Sequence, residues 1–287
     1  MKNYFYKIYC ITNLHMGSGD INFNVIDNEV ERDPVNNLPV MFSSGVKGAF
    51  RDHFRNRGAN SKMIEEIFGS DIDRGPDESS FPGKVCFLTA SLLLLPFRAA
   101  VGKYPYYLVT TKSILQQFGK TYKIFNGAEP IEGFIDTVSI LNDGNCYGTE
   151  KEPVQLEDYK YDAIQDIPEV IRKVLSLFVD DGAINKVIII PDVDFGGGNN
   201  RVVLPVLARN NLDDQGISRN LWYEEVVPHE AVFYLPVLSN GTKDGDKALS
   251  SFHSFVAAEG NSLIQFGGNS TIGYGLTSVS SLRGDQL

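Results

Sequence analysis

The sequence predicts an α+β fold. Strand-like runs rich in β-branched and aromatic residues, at 4–14, 85–97 and 187–190, interleave with stretches whose apolar residues recur at the helical period, at 46–54, 171–178 and 246–258. Of the 287 residues, 43% are hydrophobic and 22% charged, an ordinary globular balance that supports a sizeable core in one elaborated domain or two small ones. No run approaches the roughly 20 apolar residues of a membrane span. The opening Met1-Lys2-Asn3-Tyr4 lacks a signal peptide's apolar stretch, so a cytoplasmic protein is expected.

The strand at 4–14 leads into a loop at 17–39 that is longer than a simple connection and dense in carboxylates, with Asp20, Asp27, Glu29, Glu31 and Asp33. Long ordered loops in compact domains are often functional. Ser43, Ser44 and Gly45 then open a helix whose buried face is Val46, Ala49, Phe50, His53 and Phe54. Beside that face Lys47, Arg51 and Arg55 follow at i, i+4 and i+8 and line one cationic ridge. Residues 41–62 hold five Lys or Arg against one acid, Asp52, in a chain of formal net charge −10. Local charge opposite to that of the whole suits a phosphate-binding face on an acidic protein. Free backbone N–H groups at Ser43, Ser44 and Gly45 suit a phosphate oxygen. A solvated basic face with Ser44 as an ordinary N-cap stays open as the alternative.

A short helix is expected at 61–68, a mobile polar loop or insertion at 69–83, and a buried strand at 85–97. Between 116 and 163 the signals are weak: a strand at 134–141, a turn at Asn142-Asp143-Gly144 and an acidic linker bearing tyrosines. Asp166 as N-cap and Pro168 in the first turn point to a packing helix with Ile171, Val174, Leu175 and Phe178 on one face. After the strand at 187–190, Asp192 and Asp194 alternate as at the start of a calcium loop, but no bidentate Glu stands at the right distance, so a Gly-rich turn through Gly197 and Gly198 is expected. Strand-like runs at 201–209 and 221–227 flank a polar tip at 210–220 and read as a long hairpin. A helix at 246–258 precedes a Gly-rich turn at 266–275, whose glycines allow close backbone approach to a ligand. Cys10, Cys86 and Cys146 are widely spread without a CxxC, and the four histidines lack metal-binding spacing, so neither a disulfide framework nor a zinc site is indicated.

These segments together resemble the RAMP (repeat-associated mysterious protein) superfamily, most closely the backbone subunit of type III-B (Cmr) CRISPR effector complexes. The resemblance is carried by His15-Met16-Gly17-Ser18-Gly19, Asp27, Arg32-Asp33, Leu38-Pro39 and Ser44-Gly45-Val46-Lys47-Gly48-Ala49-Phe50-Arg51. The Leu-rich run ending in Pro96-Phe97-Arg98, the close of the hairpin at 221–228, and the turn at 266–275 extend it over nearly the whole chain. Three positions depart from the family pattern. Ser43 stands where the family usually has Gly, Gly45 where it has its second Ser, and Thr89 where it has Asp.

The resemblance implies a single domain built as a ferredoxin-like (RRM-like) palm with inserted loops, a catalytic loop at 17–39 and a β-hairpin thumb within 192–227. It implies a repeated backbone subunit that binds CRISPR guide RNA and cuts complementary target RNA at regular intervals. Its further partners would be more copies of itself in a helical filament and other CRISPR effector subunits, with no membrane. Asp27 matches the family's catalytic acid, which acts with a divalent metal (Mg or Mn), as general base or as holder of metal and water. His15, Ser43, Ser44, Gly45, Lys47, Arg51, Arg55, Arg98, Gly268, Asn269 and Thr271 are the candidate RNA contacts. A non-catalytic guide-binding subunit, the equivalent subunit of a type III-A complex and a RAMP nuclease that processes guide precursors stay open. The last would want a His or Lys acid–base set that the sequence does not spell, and Pro96-Phe97-Arg98 favours type III-B.

Overall fold

The computed structural model describes residues 1–19, 25–70, 80–196 and 201–282. In the first strand, β1 (Asn3–Cys10), Tyr6, Ile8 and Cys10 are buried on one face, while Lys7 and Tyr9 on the other are half-buried. After β2 (Val40–Met41) come α1 (Ser43–Asn56) and α2 (Ser61–Phe68), then β3 (Val85–Phe87), β4 (Ala90–Val101) and β5 (Tyr106–Thr111). Two helices, α3 (Lys112–Asn126) and α4 (Phe134–Ser139), precede four short strands, β6 (Cys146–Gly148), β7 (Val154–Leu156), β8 (Tyr159–Tyr161) and β9 (Ile164–Asp166). Next are α5 (Glu169–Leu175), β10 (Val187–Ile190) and α6 (Asp192–Gly196). The chain closes with β11 (Val206–Leu212), β12 (Ser218–Glu225), β13 (Val232–Ser239), α7 (Lys243–Ala257), β14 (Leu263–Gln265) and β15 (Leu276–Leu282).

Among the described residues one large mixed sheet runs in the order β14-β15-β1-β13-β4-β5-β10-β6-β9, with β2, β3, β7 and β8 joined at its sides. Near its middle β1 is antiparallel to both neighbours, Tyr6 lying opposite Leu235 of β13 and Ser281 of β15. The pairs β5–β10 and β6–β9 are parallel. One face of the sheet is covered by α1, α2 and α7 through an aromatic cluster in which Phe54 stacks on Phe255 at 3.9 Å and Phe50 meets Phe266 edge-on at 5.5 Å. On the other face Phe118 and Tyr122 of α3 pack against Tyr234 and Phe5. Each such ring contributes on the order of 1.5–3 kcal/mol by leaving water. The cluster fixes where α1 begins. The hairpin of β11 and β12 stands off as a separate two-stranded ladder.

Several expectations are corrected. Residues 134–139 form α4 rather than a strand: Phe134 and Val138, one turn apart, are buried, and the Thr137 hydroxyl donates to the Gly133 carbonyl at 2.7 Å. Asp166 ends β9 and is not an N-cap; Pro168, extended at φ −53° and ψ 138°, caps α5. The run at 85–97 is divided between β3 and β4, and 112–126 is a helix in a region where the sequence signals are weak. Asp192–Gly196 is a short helix, while Gly197 and Gly198 lie outside the described residues. So do residues 71–79 of the expected loop at 69–83, and residues 20–24, with Asp20, of the carboxylate loop. The first hairpin strand starts at Val206 rather than at 201, and both strands reach further into the polar tip than expected, because Asp213 closes the turn by accepting the N–H groups of Gln215 and Ile217.

Candidate nucleic-acid interface

The start of α1 has the form of an anion site. Its N-cap is Phe42, in an extended conformation and without a side-chain cap, and the first helical bond runs from the Val46 N–H to the Phe42 carbonyl at 3.0 Å. The N–H groups of Ser43, Ser44 and Gly45 thus precede the helical ladder, and no acid lies in the first turn. Both serines are exposed, and Ser44 is not the N-cap. The Phe42 N–H is donated to Glu31 Oε2 at 2.7 Å, which sets a carboxylate beside the helix start. Burial pushes the Glu31 carboxyl above its ordinary value, partly opposed by that hydrogen bond.

Three segments far apart in sequence meet around Met16. A Cβ on Gly45 would sit 2.7 Å from Met16 Cε. One on Gly267, whose φ is +72°, would sit 2.3 Å from the His15 carbonyl oxygen, so only glycine fits there. The Gly268 N–H donates to that same oxygen at 3.0 Å. The helix start and the glycine turn are therefore packed on one support, with Gly268, Asn269 and Thr271 exposed at the turn.

Beneath them runs a charge network anchored in the hairpin. Glu224 and Glu225, at the end of β12, are only 3% and 2% exposed. Glu224 accepts from Asn269 Nδ2 at 2.7 Å and from Arg209 Nε at 3.2 Å, and the Arg209 guanidinium lies 4.7 Å from the centre of the Tyr274 ring. Glu225 accepts from Arg32 at 2.6 Å and from the Val30 N–H at 3.1 Å. Arg201 joins Glu225 at 3.8 Å to Glu29 at 3.1 Å. Breaking a buried pair such as Arg32–Glu225 from one side typically costs about 3–5 kcal/mol, because the remaining charge is left without compensation. His15 belongs to this network. It is buried, its Nδ1 is 2.7 Å from the Glu225 carbonyl, and its Nε2 is 3.9 Å from Glu224. Its ring braces the interface from below. Glu224, Glu225 and Arg209 were not among the candidate RNA contacts, although Glu224 and Glu225 stand in the hairpin close at 221–228 that carries part of the family resemblance.

Asp27 is exposed at the base of the hairpin. The N–H groups of Asp27 and Asn28 donate to the Tyr223 carbonyl at 3.1 and 3.2 Å, the Glu225 N–H donates to the Asn28 carbonyl at 2.9 Å, and the Tyr223 N–H donates to Asp27 Oδ2 at 2.7 Å. One carboxylate oxygen is engaged and the other has no hydrogen-bond partner among the described residues. No group of three His, Cys, Asp or Glu able to hold a metal occurs among the described residues, and Glu29 is taken by Arg201. A hard ion such as Mg²⁺ commonly binds through one or two carboxylates plus substrate phosphates. Asp27 fits that mode and not an all-protein cage.

The cationic ridge is divided in its tasks. Lys47 is half-buried and Arg55 is exposed, 3.6 Å from Asp52. Arg51 turns inward, donating to the carbonyls of Gly69 and Ser70 over the Phe68 ring. It ties α1 to the end of α2. Arg98 is not brought to this interface: it is paired with Glu157 at 3.2 Å on the rim of a cavity that α1 and the glycine turn do not line.

The sequence model of the RAMP superfamily matches residues 7–278. The CRISPR system Cmr endoribonuclease Cmr4 of Pyrococcus furiosus is 25% identical over 295 residues, covering 98% of this chain and 96% of that protein. Among solved structures, a chain of the type III-B Cmr-beta complex bound to cognate target RNA superposes with a TM-score of 0.78 at 20% identity, covering 100% of this chain and 99% of that one. A chain of oligomeric Cmr4 from Pyrococcus furiosus superposes with a TM-score of 0.70 at 19% identity, covering 98% of each.

Proposed function

The chain belongs to the RAMP superfamily, and from that membership we propose that it is a repeated backbone subunit of a type III-B CRISPR ribonucleoprotein, which binds guide RNA and cuts the complementary target at regular intervals. The observation that carries the proposal is the packing of the α1 start, the glycine turn and the Asp27 loop onto one hairpin base. The name of the Pyrococcus furiosus relative, an endoribonuclease, supports the enzymatic half. The strand order β15-β1-β13-β4, with α1 after β1 and α7 after β13, supports a ferredoxin-like palm in a single domain. The β11–β12 hairpin is then its thumb. Among the described residues no helix is long and apolar enough to cross a membrane. In this reading the RNA partners and the other effector subunits place it in the cytoplasm.

In this reading the guide backbone lies along the N–H groups of Ser43, Ser44 and Gly45, with Lys47 and Arg55 on one side and Gly268, Asn269 and Thr271 on the other. These groups recognise phosphate and sugar, so any guide is held alike and base pairing supplies the specificity. The thumb displaces one target nucleotide from the stack, which frees its ribose 2′-OH for in-line attack on the adjacent phosphate. Asp27, at the thumb's base, takes the 2′-OH proton as the 2′ oxygen bonds to phosphorus and the bond to the 5′ oxygen breaks, and the leaving 5′ oxygen takes a proton from water. The products carry a 2′,3′-cyclic phosphate and a 5′-OH. Asp27 would also hold a divalent ion (Mg or Mn) together with RNA phosphates, and such an ion supplies charge neutralisation at the phosphate when bound.

Asp27→Ala and Asp27→Asn test this in the assembled complex. Asn keeps an acceptor for the Tyr223 N–H and loses the charge. Both variants are expected to lose target cleavage and retain guide and target binding. If Asp27→Asn cuts like the wild type, the carboxylate is a loop cap and the catalytic role proposed for Asp27 is overturned.

A further inference from the structure

A cavity of about 770 Å³ opens beyond the C-terminal end of β1, bounded by the β4–β5 hairpin, the β7–β8 turn and residues 203–206. Its walls are largely apolar, with Pro96, Phe97, Pro105, Pro205 and Pro228, and Val203 stands in it 90% exposed. The volume lies in the range of about 300–1,000 Å³ typical of binding pockets. The rim is acidic. Arg98 is matched by Glu157 at 3.2 Å, Asp194 takes the Tyr161 hydroxyl at 3.0 Å, and exposed Asp158 has no ion pair among the described residues. That balance disfavours an RNA backbone and favours a cation carried on an apolar stem.

The rim is also held in a strained shape. Glu157 opens the β7–β8 turn at φ +48°, a left-handed conformation in which a Cβ is unfavourable and Gly or Asn is the usual choice. Arg98 fixes it there: the Glu157 N–H donates to the Arg98 carbonyl at 3.0 Å, and the Arg98 N–H donates back to Glu157 Oε1 at 3.2 Å. Such locally strained turns, over-determined by their neighbours, recur at sites that bind something.

At the opposite end of β1, Asn3 Nδ2 donates to the Phe125 carbonyl at 2.9 Å and so brings the end of α3 to the start of the strand. Lys120 and Ile124, one helical turn apart, share an exposed face there. Ile124 is 75% exposed, and Lys120 has no ion pair among the described residues. An eight-residue strand separates these two ends by roughly 23 Å. An exposed lysine and isoleucine at one end are therefore complementary in charge and polarity to an acidic, apolar cavity at the other. Complementary patches on different parts of one molecule make heterologous contacts, which propagate head to tail instead of closing a pair.

We propose that the Lys120–Ile124 end of α3 in one copy seats in this cavity of the next, so that copies stack head to tail along the direction of β1. The proposal rests on the reading of the chain as a repeated backbone subunit, which by itself names no contacting surface. A charge swap tests it, with assembly on guide RNA followed by sedimentation velocity. Lys120→Glu alone and Asp158→Lys alone are each expected to raise the protein concentration needed for assembly roughly tenfold or more, since like charges then face each other. Mixing the two variants in equal amounts is expected to restore it, because every α3 end again meets an opposite rim, and misfolded variants would not recover on mixing. In a Cys86→Ser background, Ile124→Cys with Val203→Cys is expected to yield a ladder of disulfide-linked multimers under oxidation. Assembly indifferent to both single swaps, or no recovery on mixing, overturns the proposed surface even when wild-type complexes still assemble and cut target. A wild type that forms no multimers with guide RNA overturns the backbone reading and this inference with it.

Discussion

If the α1 start is a phosphate site as proposed, Glu31 is the side chain that sets its strength. Its carboxylate takes the Phe42 N–H at 2.7 Å, beside the N–H groups of Ser43, Ser44 and Gly45, where an RNA phosphate bound as proposed would compete with its charge. Burial raises its pKa in the folded chain, so the folded state holds the proton more tightly than the unfolded one. The contribution to stability is therefore full at pH below the unfolded value and is lost as pH rises through the folded value. In the same window, falling pH removes the competing charge before an ordinary Glu would protonate. Guide-RNA affinity is expected to rise as pH is lowered from neutral towards the carboxylate range. Glu31→Gln keeps an acceptor for the Phe42 N–H, and is expected to bind about two- to fivefold more tightly at neutral pH, the size of a charge at a helix terminus. It should also flatten that part of the pH profile, as read by fluorescence anisotropy of labelled RNA. An unchanged affinity and profile in Glu31→Gln would show that no phosphate sits at the α1 start.

Among the elements, the β11–β12 hairpin is the one that cannot stand alone, since an isolated two-stranded ladder is marginal in water. It is held at its base by Glu224, Glu225 and the ladder to residues 27–28, whereas its tip is held by its own turn, where Asp213 also pairs with Arg219 at 3.0 Å. Replacing residues 211–220 by Asn-Gly would close the hairpin at the Asn210–Leu221 pair with a two-residue turn. The shortened protein is expected to fold as before, because nearly all the removed residues are exposed. Evenly spaced cleavage of end-labelled target should fade on a gel while target pairing is retained or improved, since fewer bases are displaced. Undiminished, regular cuts would mean that the hairpin does not place them.

Across the whole molecule, a formal charge of −10 repels RNA, so binding depends on a local field strong enough to reverse the sign. In the proposed reading Lys47 and Arg55 supply that field, while Arg51 is committed to the carbonyls of Gly69 and Ser70. Lys47→Gln with Arg55→Gln is expected to weaken binding for all RNA sequences alike. The slope of log affinity against log salt should fall by about 0.7 for each phosphate that the protein no longer neutralises on a single strand. Weaker binding with an unchanged slope would instead report a disturbed fold.

The sequence by itself determined what is local. The buried face of α1 and the bounds of α2 follow from helical spacing, with Asn60 Oδ1 accepting the Met63 N–H at the start of the latter. The glycine turn, the hairpin and the strand at 187–190 were legible in the same way, from composition and spacing within a few residues. Residues 134–139 misled, because Ile135, Thr137 and Val138 look strand-like in isolation and become helical only where Phe134 and Val138 are buried. Only the tertiary structure decided that His15 braces Glu224 and Glu225 across 210 positions of sequence, that Asn269 reaches the same Glu224, and that Arg51 faces inward while Arg98 stands apart. Those outcomes depend on sheet register and on which buried charges find partners. Periodicity reports which face of an element is apolar, and carries no information about the distant residue that face will meet.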